Sequence, residues 1–126
     1  MSEAEVVAAF CAALRADGWE VRTEVDFIDV VAERDGRAIY AEAKGTTTSP
    51  GLDVDTMYGQ LLRRIPTEAR PGLRFAVVVP EHVLDAVLRV PQWVRDRLLI
   101  DVYTVSEDRR VRLHPDGAPS GWIPSA

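Results

Sequence analysis

Lysine is almost missing from this chain. One occurs, Lys44, and every other basic side chain is arginine. The two do different chemistry: arginine stays charged and forks onto flat acceptors, whereas lysine is a compact charge that responds to its surroundings. Cysteine is just as scarce. The single Cys11 excludes an internal disulfide framework and fits a reducing cytoplasm. It lies in an apolar helical run, the place of a small buried hydrophobe rather than a nucleophile. The two histidines, His82 and His114, are far apart and lack ligand spacing, which argues against a zinc site. No apolar run approaches the roughly 20 residues that span a bilayer, so no membrane partner is expected. The opening "MSEAEVVAAF" lacks the basic segment of a secretory signal, and a cytoplasmic location is the expectation. There is neither a G-x-x-x-x-G-K-[ST] loop nor a G-x-S-x-G elbow, which removes two common phosphate and ester chemistries.

What is present suits one soluble domain. The 126 residues are 47% hydrophobic and 28% charged. We expect a single domain over residues 1–115 and an irregular tail, rich in proline, glycine and serine, over 116–126. The formal net charge of -5 opposes indiscriminate binding to nucleic acid. That charge is uneven: residues 1–62 carry 12 acids and 5 bases, and residues 63–126 carry 8 acids and 10 bases. A polyanion should therefore meet the second half, unless a cation neutralises part of the first.

"SEAEVVAAFCAALRADG" reads as a helix. Ser2 and Glu5 fit a capping box, Val6, Phe10 and Leu14 form a stripe, and Gly18 closes it. "WEVRTEV", "DFIDVVAE" and "RAIYAEAK" read as three consecutive strands, and "GTTTSPG" as a loop. A second helix is expected from Asp53, with Val54, Met57, Tyr58, Leu61, Leu62 and Ile65 as its apolar stripe. Thr56, Gln60, Arg63 and Arg64 then fall on its opposite side. "LRFAVVVP" reads as a buried strand and "EHVLDAVLRV" as a helix, followed by a short helix led by Pro91. "IDVYTV" and "RRVRLH" look like a closing hairpin. The class predicted is an α/β three-layer sandwich: a mixed central sheet flanked by helices, with a helix-strand-strand-strand-helix-strand core.

Between the second and third strands lies "ERDGR". Asp-Gly between strand residues is a strong hairpin signal, because a type I′ turn needs positive φ at both central positions. With Asp35 and Gly36 as the turn, Arg34 pairs with Arg37 and Asp29 falls opposite Glu42, in the closer, non-bonded kind of pair. Alternation puts Lys44 on the same face as Glu42, and Phe27, Val31 and Tyr40 are expected to share it. Asp26 has the other parity and should point away. Two carboxylates about 4 Å apart repel by about 4 kcal/mol at an effective dielectric near 20. Three things would relieve that: a retained proton, a bridge through Lys44, or a divalent cation, with oxygen ligands favouring Mg²⁺, Mn²⁺ or Ca²⁺.

The pattern "IDVVAERDGRAIYAEAK", within this order of elements, resembles the PD-(D/E)xK nuclease superfamily, the restriction-endonuclease-like fold, including its RecB-type and archaeal junction-resolvase-like members. The resemblance covers roughly residues 3 to 80, with Ile28 where the nominal proline would stand. It implies that Asp29 and Glu42 ligate Mg²⁺ (or Mn²⁺) together with the Ala43 backbone carbonyl, and that Lys44 orients the attacking water. It offers Glu5 as a further ligand, in competition with its capping role. Gln60, Arg63 and Arg64 would face nucleic acid. The activity implied is hydrolysis of DNA phosphodiesters, with RNA left open, and with a homodimer or a specificity partner compensating for the acidic surface. The alternative is a nuclease-like fold that no longer cuts and serves as an interaction module.

Overall fold

The computed structural model describes residues 1–114; the tail expected over 116–126 lies outside them. The elements run α1 (Glu3–Ala16), β1 (Glu20–Val25), β2 (Ile28–Arg34), β3 (Arg37–Ala43), α2 (Pro50–Arg63), β4 (Leu73–Pro80), α3 (Leu84–Val87), α4 (Gln92–Arg97), β5 (Ile100–Val105) and β6 (Val111–His114). The six strands lie in sequence order in one sheet. β1, β2 and β3 are antiparallel, β3, β4 and β5 are parallel, and β6 returns antiparallel. Both parallel steps move the same way across the sheet, so right-handed crossovers put α2 and the α3–α4 segment on one face. α1 covers the other. The expected mixed three-layer sandwich is what forms.

Strand alternation divides the core in two. Val30, Ala32, Ile39, Ala41, Ala76, Val78 and Tyr103 pack against Val6, Phe10, Cys11 and Leu14 of α1. Ala38, Phe75, Val77, Val79 and Val102 pack against Val54, Met57, Tyr58 and Leu61 of α2. Cys11 is buried as expected. Among the described residues, no helix is long and apolar enough to cross a membrane.

Several expectations are corrected. "DFIDVVAE" is not one strand: Asp26 and Phe27 form the β1–β2 reversal, pairing Val25 with Ile28. Phe27 is therefore 85% exposed at a turn tip rather than on the sheet face beside Val31 and Tyr40. α2 begins at Pro50, with Ser49 as N-cap, three residues before Asp53. Proline suits a first helical turn, where its missing N–H has no partner to lose. Leu62 leaves the apolar stripe, being 45% exposed, and Ile65, 39% exposed, lies beyond the helix, which ends at Arg63. "EHVLDAVLRV" breaks into a 3-10 turn (Glu81–Val83) and the single turn of α3. The last strand starts at Val111, two residues later than "RRVRLH" suggests.

Gly45 fixes how the start of the chain meets the end of β3. A Cβ there would lie 2.4 Å from the Glu3 nitrogen and 2.8 Å from the Met1 carbonyl oxygen. Thr46 donates its N–H to that same Met1 carbonyl at 2.7 Å. Gly45→Ala should thus force backbone away from backbone, lowering stability by about 1–3 kcal/mol in urea unfolding. An unchanged midpoint would mean that this approach is looser than described.

Candidate functional site

The β2–β3 hairpin has the register expected of an Asp-Gly turn. Arg34 pairs with Arg37 and Val30 with Ala41, and Asp35 and Gly36 take φ of 51° and 78°. One step beyond the last paired residues, Asp29 and Glu42 meet and share a side-chain hydrogen bond. Asp29 also takes the Ala43 N–H on Oδ2 at 2.9 Å. Its carboxyl thereby occupies a backbone donor of β3. A strand residue turns its N–H and C=O to the same edge, so the Ala43 carbonyl is aimed toward the Asp29 side.

Glu42 is only 3% exposed, and its Oε1 is buried without a hydrogen bond. Desolvation by burial, then the hydrogen bond to Asp29 and its charge, push the Glu42 carboxyl up to about 8, against smaller opposing pulls from Arg64 and Lys44. Burial and the Asp29 carboxyl thus favour the protonated form of Glu42, so a retained proton is one relief this arrangement allows for opposed acids. Lys44, half-buried just past β3, acts on Glu42 through its charge.

The first helix contributes a different glutamate from the one expected. Glu5 is capped rather than capping, donating its N–H to Oγ of the α1 N-cap Ser2 at 3.1 Å. Its carboxylate is taken up by Arg109 of the β5–β6 turn at 2.7 Å. Glu3 instead reaches the site: burial and the Asp29 charge raise its pKa, while Lys44 lowers it. The signal was in the spacing. Glu3 stands three residues before Val6 and seven before Phe10, so it continues the stripe that faces the sheet. Glu5 does not.

Arg64 is also displaced from its expected place. It caps the C-terminus of α2 and turns inward rather than lying on a solvated face. Its Nε is 3.9 Å from Glu42 Oε1 and donates to the Phe27 carbonyl at 3.2 Å, and its guanidinium lies 5.6 Å from the Phe27 ring centroid. Gln60, one helical turn earlier, is half-buried on the same stripe, and Arg63 is exposed beside it. Further along β3, Arg70 donates to the Tyr40 hydroxyl at 3.1 Å. Asp26, expected to point away, lines a recess with Glu24, Phe27, Ile28 and Asp29. Glu24, Asp26 and Phe27 all have positive φ, at 54°, 49° and 66°. Such conformations cost energy and cluster where the chain is doing something other than folding.

The donor set matches a hard divalent cation in kind: two adjacent carboxyls, one oxygen unsatisfied, and a backbone carbonyl aimed at the same edge. Among the described residues no group of three or more acidic, histidine or cysteine side chains is placed to hold an ion. Water and substrate oxygens would have to complete the shell, as Mg²⁺ commonly allows.

No family model matches the sequence, and neither does any curated protein. Solved structures do match. An XisH family protein from Nostoc punctiforme PCC 73102 is similar at a TM-score of 0.58 and 18% identity, over 86% of this chain and 98% of that one. An fdxN element excision controlling factor protein from Anabaena variabilis is similar at a TM-score of 0.51 and 15% identity, over 87% of this chain and 98% of that one. At these identities what is shared is the fold.

Proposed function

We propose that this protein is a metal-dependent phosphodiesterase of the PD-(D/E)xK type that hydrolyses DNA. The observation carrying the reading is the buried Glu42 carboxyl, paired with Asp29, left with an unsatisfied oxygen and lying within the field of Lys44. A domain built only for stability has no use for that arrangement, since an unsatisfied buried acceptor costs about 1–3 kcal/mol. Asp29, Glu42 and the Ala43 carbonyl would hold Mg²⁺ or Mn²⁺, with Glu3 rather than Glu5 as the neighbouring acid. The ion would supply Lewis-acid charge at the scissile phosphate. Lys44 would orient the attacking water and offset charge that grows on the phosphoryl oxygens. Arg64 and Arg63, with Gln60, would hold the flanking phosphates. The excision controlling factor of similar fold acts, by its name, on the excision of an element, a setting that phosphodiester cleavage would suit.

One observation favours a second reading, a nuclease-like module that binds without cutting. The Arg64 guanidinium already offers a positive charge 3.9 Å from Glu42 Oε1, and a fixed internal cation would make a metal unnecessary.

Incubation with supercoiled, linear and branched DNA in Mg²⁺ or Mn²⁺ separates the two. We expect metal-dependent cleavage by the wild type, and cleavage about a hundredfold slower by a normally folded Lys44→Ala variant. Equal rates would remove Lys44 from the chemistry. Gel-shift binding in Ca²⁺, with no cleavage in Mg²⁺ or Mn²⁺, would establish the binding module instead.

A further inference from the structure

The first two hairpins of this chain use one kind of reversal with different residues. Asp35 and Gly36 turn β2 into β3, while Asp26 and Phe27, with φ of 49° and 66°, turn β1 into β2. Glycine enters this region freely; for a bulky residue it is a true outlier. Phe27 is also 85% exposed, so burial does not offset the strain. Glycine at position 27 would remove both costs. The ring's contact with Arg64 is an exposed and therefore weak one, so folding alone does not explain the ring.

Its position does. Phe27 stands two residues before Asp29 in the chain. Arg64 holds its carbonyl and backs its ring, which leaves the other face open. A recess of about 490 Å³ opens beside it, lined by Glu24, Asp26, Phe27, Ile28 and Asp29.

We propose that Phe27 stacks on an unpaired base next to the bond presented to Asp29 and Glu42, which makes the substrate single-stranded or locally unpaired DNA. This rests on the nuclease reading above. Any base offers a flat face to an aromatic ring, whereas a base inside a duplex is already covered by its neighbours. Glu24 and Asp26 repel a phosphate at the tip, so the uncharged base is the part that fits there. Arg64 supplies the positive charge for the phosphate behind it. A protein partner is the poorer fit, because stable interfaces bury about 800 Å² on each side, far more than one ring offers.

The test uses fluorescently labelled oligothymidine and a duplex of equal length, with binding followed by anisotropy in Ca²⁺. The wild type should prefer the single strand. Phe27→Gly should raise the melting temperature, weaken single-strand binding about tenfold or more, and leave duplex binding within about twofold; Phe27→Trp should retain single-strand binding. The proposal is overturned if Phe27→Gly leaves single-strand binding intact, if it weakens both substrates equally, or if the wild type prefers the duplex. Loss of self-association in that variant, with DNA binding untouched, would assign the ring to a protein contact and also overturn it. A protein that binds single strands through Phe27 yet cuts nothing would sink the nuclease reading and leave this one standing. A protein whose cutting of both substrates survives Phe27→Gly would sink this one alone.

Discussion

Glu42→Gln should abolish metal-dependent cleavage and, in the absence of metal, make the protein more resistant than the wild type to unfolding at alkaline pH. The first half follows from removing one of the two carboxyls proposed as ligands: rates should fall by about a thousandfold or more, as expected when several kcal/mol of Lewis-acid stabilisation are lost. The second half follows from linkage. In the unfolded chain Glu42 has an ordinary carboxyl pKa, and in the fold it is pushed up to about 8, by burial first and then by Asp29. Between those values the folded state binds the extra proton. The stabilisation due to Glu42 is complete below the unfolded pKa and is lost as pH rises toward about 8, at up to about 1.4 kcal/mol per unit. Glutamine mimics the protonated acid and does not titrate.

The melting temperature of the variant minus that of the wild type should therefore be small near pH 5, widen to about pH 8 and level off above it. On the proposed nuclease reading Mg²⁺ displaces the same proton, so its stabilising effect on the wild type should strengthen over that pH range and vanish in Glu42→Gln. Parallel pH profiles for the two proteins would show that Glu42 ionises normally, and the case for a strained acid pair would fail with it.

What could be read from the chain alone was whatever short-range chemistry decides. Asp35-Gly36 sets a tight turn by local backbone preference, and the turn carries Asp29 and Glu42 into register without help from the rest of the molecule. The burial of Cys11 and the wide stripe of α2 from Val54 to Leu61 follow from helical period in the same way. The features that escaped are those where another element overrides local preference. Propensity excludes phenylalanine from positive φ, so the Asp26-Phe27 reversal was hidden inside an apparent strand. Glu5 matched a capping pattern, and that match concealed Glu3, whose role depends on where α1 crosses the sheet. Arg64 reads as a solvated residue on a helical wheel, but α2 ends at Arg63, and Arg64 as its C-cap lies 3.9 Å from Glu42.

The second large effect is expected on the opposite face. Arg74 of β4 and Asp101 of β5 form a two-pronged pair, Nε to Oδ2 at 2.8 Å and Nη2 to Oδ1 at 2.9 Å, with only 8% and 7% of the two residues exposed. Their hydrogen bond, more than any other interaction, raises the Arg74 pKa. Asp101→Ala would leave a guanidinium buried without its carboxylate and should cost about 3–5 kcal/mol. That is a large part of the roughly 5–15 kcal/mol that a domain usually has. Arg74→Met combined with Asp101→Leu removes both charges and should recover most of the loss in urea unfolding. A single variant within about 1 kcal/mol of wild type would show that the pair is solvated in practice. The contrast with Glu42 is the point. In Asp101 this fold gives a buried carboxylate two matched donors, whereas in Glu42 it buries another and leaves an oxygen unsatisfied. Near-neutral unfolding should separate them, with Asp101→Ala strongly destabilised and Glu42→Gln more stable than the wild type. That outcome would make the first carboxylate part of the scaffold and the second a group that folding does not need.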